Sequence, residues 1–299
     1  MTVHEERFCP PPPLRLEHPG PGVALLTLDR PERRNALDMA LRRALADAVQ
    51  GLDDDPEVRA IVISGGPTVF AAGADLGELV EAGPLQVQQR RVERYWQALA
   101  QCRKPLIAAV NGLALGGGCE LALHADLIVA GATARFGQPE VRLGIMPGAG
   151  GTQRLVRALG KYRALRLLLT GALVGAEEAL AMGLVSERAD DDALPRALAL
   201  AEEIARLPAL AVAQIKAVVR DGADLPWRAR CCWSARPSNC CSTARTRRRA
   251  CAPSSPSASR STRADERERD HPPRRGRLRR HGPGHRPAGG LRRPAGAAA

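Results

Sequence analysis

The residues of this chain best placed to do chemistry are two glutamates in glycine-rich surroundings. Gly116, Gly117 and Gly118 follow one another and open a helical pattern, Cys119 to Ala125, with Glu120 in its first turn. Glycines at a helix start let a polar ligand atom approach the backbone, and the free N–H groups there attract developing negative charge. Further on, Gly137-Gln138-Pro139-Glu140 repeats the arrangement, with Pro139 suited to a first helical position and Glu140 just inside. The pattern predicts two carboxylates on separate rigid elements, beside an oxyanion-type backbone site. Such a set suits general acid–base work on a group that becomes negatively charged. Each half alone also reads as a dipole-complementing acid or a tight turn. The coincidence of both in one short stretch carries the argument.

The elements that must position these residues follow from apolar periodicity. Leu14 to Glu17 and Val23 to Asp29 read as strands joined across His18-Pro19-Gly20-Pro21-Gly22. Asp38 is placed to cap a helix with Leu41, Leu45, Ala48, Val49 and Leu52 on one face. Val58 to Ser64, with the apolar run Ala60 to Ile63 inside it, fits a strand covered on both faces. Gly65 to Asp75 reads as a loop and 76–101 as a long polar helix. Pro105 to Val110 is a buried strand stopped by the turn signal Asn111-Gly112. Leu127 to Ala130 and Ala134 to Phe136 are short strands, followed by helices at Thr152 to Gly160, 163–169, 176–183, 193–206 and 209–220. Strand–strand–helix units followed by helices predict an α/β core, 14–195, with a helical C-terminal portion, 196–225. Residues 1–13 are expected to be disordered, because their proline run cannot pair in a sheet.

The motifs ALGGGCELAL, FGQPE and LGIMPGAGGTQRL resemble the enoyl-CoA hydratase (crotonase) family, as do RRNALD at 33–38 and VFAAGADL at 69–76. The resemblance runs from about Leu14 to about Pro226. It implies a spiral of strand–strand–helix units, assembly as trimers or hexamers, and hydration of a 2-trans-enoyl-CoA in fatty-acid or aromatic-acid catabolism. It also implies residue roles. Glu120 orients and activates water, Glu140 protonates the α-carbon, and the backbone N–H groups of Ala74 and Gly117 hold the thioester oxygen. Ala36, Leu37, Ala72, Asp75, Leu76 and Gly77 line the coenzyme A groove. No metal or other cofactor is implied, since coenzyme A arrives as part of the substrate. Both acidic positions being filled favours hydration over double-bond isomerisation, the alternative within the family. FAAGADL, KPLIAAVNG and LGIMPGAGGTQRLVRALGK are similar to hydratases acting on 2,3-dehydroadipyl-CoA in phenylacetate breakdown.

Composition separates the chain into two parts. The net charge is +12. Residues 226–299 hold 19 arginines, no lysine and 4 acids, so +15 lies there and the rest of the chain is near −3. That tail invites a nucleic-acid reading, since its arginines attract phosphates, but the attraction is sequence-blind. Cys231-Cys232 and Cys240-Cys241 lack the spacing of a zinc site. With almost no apolar periodicity, the tail is expected to be disordered. Cys9, Cys102 and Cys119 form no disulfide pattern, and the chain has no signal-type start and no membrane-length apolar run. These features predict a soluble cytoplasmic protein without a membrane partner. Three smaller features take plain readings. His124 has no HExxH context, Cys119 has no base placed beside it, and PGAGGT at 147–152 lacks the ending of a phosphate loop.

The tail also has a reading in the genetic code. From Pro226-Trp227 onward, joining the third base of each codon to the first two of the next permits LEGALLLE and then AFELLLD, an amphipathic helical pattern. Arg249 to Ser259 permits GMRAFLAKRQ, which resembles the closing segment of the same family, and a stop is permitted at Ala264-Asp265. The expectation is therefore that the residues after about Pro226 are read in a shifted frame.

Overall fold

The computed structural model describes residues 13–75, 77–78 and 89–222. The expectations for residues 1–12, for Leu76, for most of the helix ahead of residue 89 and for the 226–299 segment lie outside the described residues.

The chain starts with an antiparallel pair, β1 (Leu14–Gly20) and β2 (Val23–Leu28). Helix α1 (Met39–Asp54) follows, capped by the Asp38 side chain, which accepts from the Leu41 N–H. Then come β3 (Ala60–Ser64), β4 (Val69–Ala71), α2 (Glu93–Gln101), β5 (Leu106–Val110), β6 (Leu113–Leu115) and α3 (Gly117–His124). After β7 (Leu127–Ala130) and β8 (Arg135–Gly137), a 3-10 turn spans Pro139–Leu143. The remainder is mostly helical: α4 (Gly151–Leu159), α5 (Lys161–Thr170), β9 (Leu173–Gly175), α6 (Ala176–Met182), β10 (Glu187–Arg188), α7 (Ala193–Ala205) and α8 (Ala209–Gly222).

Two sheets result. One has the order β1-β2-β3-β5-β7-β10 and is parallel from β2 onward; the other has the order β4-β6-β8-β9, antiparallel only at β8–β9. Strands β3, β5 and β7 stand in the first sheet, and β4, β6 and β8, which follow each of them, stand in the second. Each unit thus gives one strand to each sheet before the next helix, and the chain coils.

Alternation along the large sheet builds two cores. Ala24, Leu26, Ile61, Ile63, Leu106, Ala108 and Val110 face one way, into the main core with α1 and α3. Val23, Leu25, Ala60, Val62, Ile107, Ala109 and Val129 face the other way, onto Ala193, Ala197 and Ala201 of α7. That alanine stripe lets α7 lie close against the sheet. Helix α7 begins before residue 195 and packs on the strands.

The structure corrects one loop and adds a strand after an expected turn. Residues 65–75 contain β4, and the turn at Asn111-Gly112 leads directly into β6. Both strands are three residues long. Their register comes from neighbouring strands, and periodicity has nothing to work on at that length. Among the described residues, no helix is long and apolar enough to cross a membrane. No group of three or more His, Cys, Asp or Glu is placed to hold a metal there.

Candidate active site

A cavity of about 900 Å³ opens between α1, α2, the start of α3, the 3-10 turn and the loop before α4. Gly116, Gly117, Glu120 and Glu140 all line it. Strand β6 delivers the chain to Gly116, whose φ of +50° belongs to the region that favours glycine. A Cβ there would also fall 2.9 Å from Glu140 Oε1 and press on that carboxylate. The Gly116 N–H donates to Gly137 O at 2.9 Å, and this bond joins the two glycine-led elements.

Glu120 is buried, 3% exposed, one turn into α3. Its Oε1 accepts from the Ala149 N–H at 2.7 Å and from the Gly151 N–H at 2.8 Å. A Cβ on Gly151 would fall 2.9 Å from the same oxygen. One carboxylate oxygen is therefore clamped by the loop ahead of α4. Burial pushes the Glu120 pKa up; the two amides and the charges of Arg42 and Arg154 act against that. Glu140 is half-buried, and burial, with the nearby Glu120 charge, raises its pKa as well. With its amide nitrogen turned toward the carboxylate, buried Gln138 donates to both Glu140 oxygens, at 3.0 and 3.1 Å.

The two amides expected at the oxyanion position are neighbours. A Cβ built on Gly117 would lie 3.5 Å from the Ala74 nitrogen, and one on Gly73 would lie 3.7 Å from the Gly117 nitrogen. Gly117 is the first residue of α3, so its N–H has no acceptor within the helix. Ala74 is held by a bridge to Leu37, whose N–H donates to Gly73 O at 2.8 Å.

Of the residues expected in the coenzyme A groove, Ala36, Ala72, Asp75 and Gly77 line the cavity. The Leu37 side chain is 1% exposed, packed in the main core behind Gly117, which leaves only its backbone for the groove. It supports the groove from beneath. Asp75 is occupied by its own loop, accepting from the Gly77 N–H at 3.0 Å and lying 3.7 Å from Arg30. Leu76 lies outside the described residues.

The residues that sequence reasoning missed surround Glu120. The PGAGGT segment is the turn before α4, as expected, but its amides also hold the carboxylate. His124 is buried, stacked on Trp96 with ring centroids 5.2 Å apart. Arg154 Nη2 donates to His124 Nδ1 at 2.9 Å, which leaves Nε2–H to donate to Ala149 O at 3.1 Å. Desolvation, reinforced by Arg154, lowers the His124 pKa to about 4, so the ring is neutral. Cys119 is buried, and burial pushes its thiol up to about 12, the condition of an inert packing residue.

Comparison with known proteins fits this geometry. Residues 19–232 match the family model described as enoyl-CoA hydratase/isomerase. The chain is 46% identical over 208 residues to the 2,3-dehydroadipyl-CoA hydratase of Escherichia coli (strain K12), covering 69% of this chain and 82% of that protein. It is 46% identical over 198 residues to a probable enoyl-CoA hydratase of Mycobacterium leprae (strain TN), covering 66% and 77%. A crystal structure of an enoyl-CoA hydratase subunit from Geobacillus kaustophilus HTA426 has a TM-score of 0.72 at 40% identity, covering 74% of this chain and 86% of that one. The chain belongs to the enoyl-CoA hydratase/isomerase family, and its fold is the crotonase fold.

Proposed function

We propose that this chain is a cytoplasmic enoyl-CoA hydratase, adding water across the double bond of a 2-trans-enoyl-CoA. The observation that carries the reading is one cavity lined by Glu120 and Glu140, with the Ala74 and Gly117 backbones side by side at its edge. Water bound to the free oxygen of Glu120 attacks C3, and Glu120 takes its proton. The electron pair of the double bond moves toward the thioester, and the Ala74 and Gly117 N–H groups meet the charge that develops on its oxygen. Glu140 supplies the proton to C2. The step leaves Glu120 protonated and Glu140 ionised; a proton passes back from one to the other through water before the next turnover, and the net change is the addition of one water. Burial supports both roles, because a raised pKa lets one carboxyl hold a proton and makes the other a better base.

The test is loss of the absorbance of the conjugated thioester. Glu120→Gln and Glu140→Gln are each expected to lower kcat about 10²–10⁴-fold, with far smaller changes in binding. Near wild-type turnover in either variant would remove that residue from the mechanism.

Two finer points belong to the same proposal. The acyl group is that of 2,3-dehydroadipyl-CoA or a close analogue, a reading supported by the motif wording and by the Escherichia coli relative. The residues after about Pro226 are a shifted reading of a gene whose original frame encoded the closing helices of a trimer-forming enzyme. The family match ending at residue 232 supports this, as does the arginine-rich, lysine-free composition that begins there. Re-sequencing the gene tests it: an unshifted frame in clean reads, or a stable trimer of the 299-residue chain, would refute it.

A further inference from the structure

We propose that the cavity carries a carboxylate-binding subsite built on Arg42, and that the preferred acyl group ends in a carboxylate. The inference rests on the hydratase reading above and adds the residue that grips the far end of the substrate.

Arg42 lies on α1 and lines the same cavity as Glu120 and Trp96. Its Nε is buried without a hydrogen-bond partner among the described residues. Its Nη1 lies 3.9 Å from the Met39 sulfur, a weak acceptor. Three carboxylates act on it through space, Glu78, Asp38 and Glu120. Each has other partners. Asp38 pairs with Arg30 Nη2 at 2.9 Å and caps α1 through the Leu41 N–H. Glu78 Oε1 accepts from the Met39 N–H at 3.3 Å, and Glu120 Oε1 is clamped by the Ala149 and Gly151 amides.

A guanidinium with a buried, unpaired N–H is costly unless something else supplies the acceptor. Burial already pulls the Arg42 pKa below its ordinary value, with Arg90 adding a second positive charge nearby. The packing of α1 does not explain the cation, since its buried face is made by Leu41, Leu45, Val49 and Leu52. The other arginines at the cavity, Arg33 and Arg142, are exposed, so water meets their charges. Glu93, an acid on the same wall as Trp96, is exposed at the start of α2. What fits is an anionic group carried in by the substrate, past the carbon that water attacks beside Glu120. A planar carboxylate matches the donor fork of an arginine.

The test uses the full chain and pairs of 2-enoyl-CoAs of equal length, one ending in a methyl group and one in a carboxylate. The wild type is expected to favour the carboxylate in kcat/KM. Arg42→Met should lower that preference about 10–100-fold, mostly through KM, the range for a hydrogen bond to a charged group. Arg42→Lys should keep part of it, because the charge remains while the fork is lost. Methyl-esterifying the terminal carboxylate should produce the same loss on the wild-type protein, independently of how any variant folds. A wild type without preference, or one whose preference survives Arg42→Met, overturns the subsite while leaving the hydratase reading standing. A wild type that hydrates neither substrate overturns the hydratase reading and the subsite with it.

Discussion

His124→Gln should remove a pH-dependence of stability that the wild-type chain shows between pH 7 and pH 5. In the fold the imidazole is neutral and fully used, accepting from Arg154 and donating to Ala149 O. Protonation would take away the acceptor that Arg154 needs and set two positive charges together. The folded pKa is about 4, against 6.5 for the free side chain. Because the folded value is depressed, this contribution to stability is present above 6.5 and is lost as the pH falls toward about 4. The gap is worth about 3 kcal/mol in full, of which about 2 kcal/mol falls between pH 7 and pH 5. Glutamine can still accept from Arg154 and donate to Ala149, but it does not titrate. Urea unfolding of both proteins at the two pH values measures the difference, and the carboxylates common to both cancel. The wild type should lose about 2 kcal/mol more than the variant. An equal loss in the two proteins would refute the assignment of a buried neutral imidazole.

Two further outcomes concern the carboxylates. In the proposed mechanism Glu120 works ionised and Glu140 works protonated, and burial raises both above the ordinary value of 4.5. The acid limb of kcat/KM should therefore begin above that value, and its apparent pKa values will belong to the coupled pair; a profile flat down to the ordinary glutamate range would contradict this. Gly151→Ala puts a methyl group 2.9 Å from Glu120 Oε1 and should lower kcat about 100-fold, as displacements of about 1 Å do at reacting groups. Unchanged turnover would mean that the clamp does not position Glu120.

How much of this was legible in the sequence depends on how local each signal is. A glycine run opening a helix with an acid in its first turn is written within five residues, and Glu120 and Glu140 stand where that pattern put them. The large sheet was legible too, because a strand covered on both faces must be apolar along its length, as Ala60 to Ile63 and Leu106 to Val110 are. Strands β4, β6 and β9 were not, since their pairing partners lie far along the chain; of the three-residue strands only β8 was read. Arg42 sits next to Leu41 on an amphipathic helix, where a charge reads as a solvated face. Only its position in the cavity makes it a candidate ligand.

The loop at Pro147 to Gly151 joins these levels. As sequence it is a glycine cluster with several equivalent readings. In the fold, Ala149 offers its N–H to Glu120 and its C=O to His124, while His124 stacks on Trp96 and receives Arg154. Glu120 is thus set by a chain of contacts that runs through α2, α3 and α4, and no one of these elements fixes it alone. The large sheet and its two cores carry the bulk of the buried apolar side chains, and the chain of contacts meets them at Trp96 and Ala149. Substitutions in the sheet, away from those two residues, should therefore reach activity only by unfolding the protein. Substitutions at His124, Gly151 or Arg154 should reach it in a protein that stays folded, because they change the aim of the carboxylate to which the proposed mechanism gives the water.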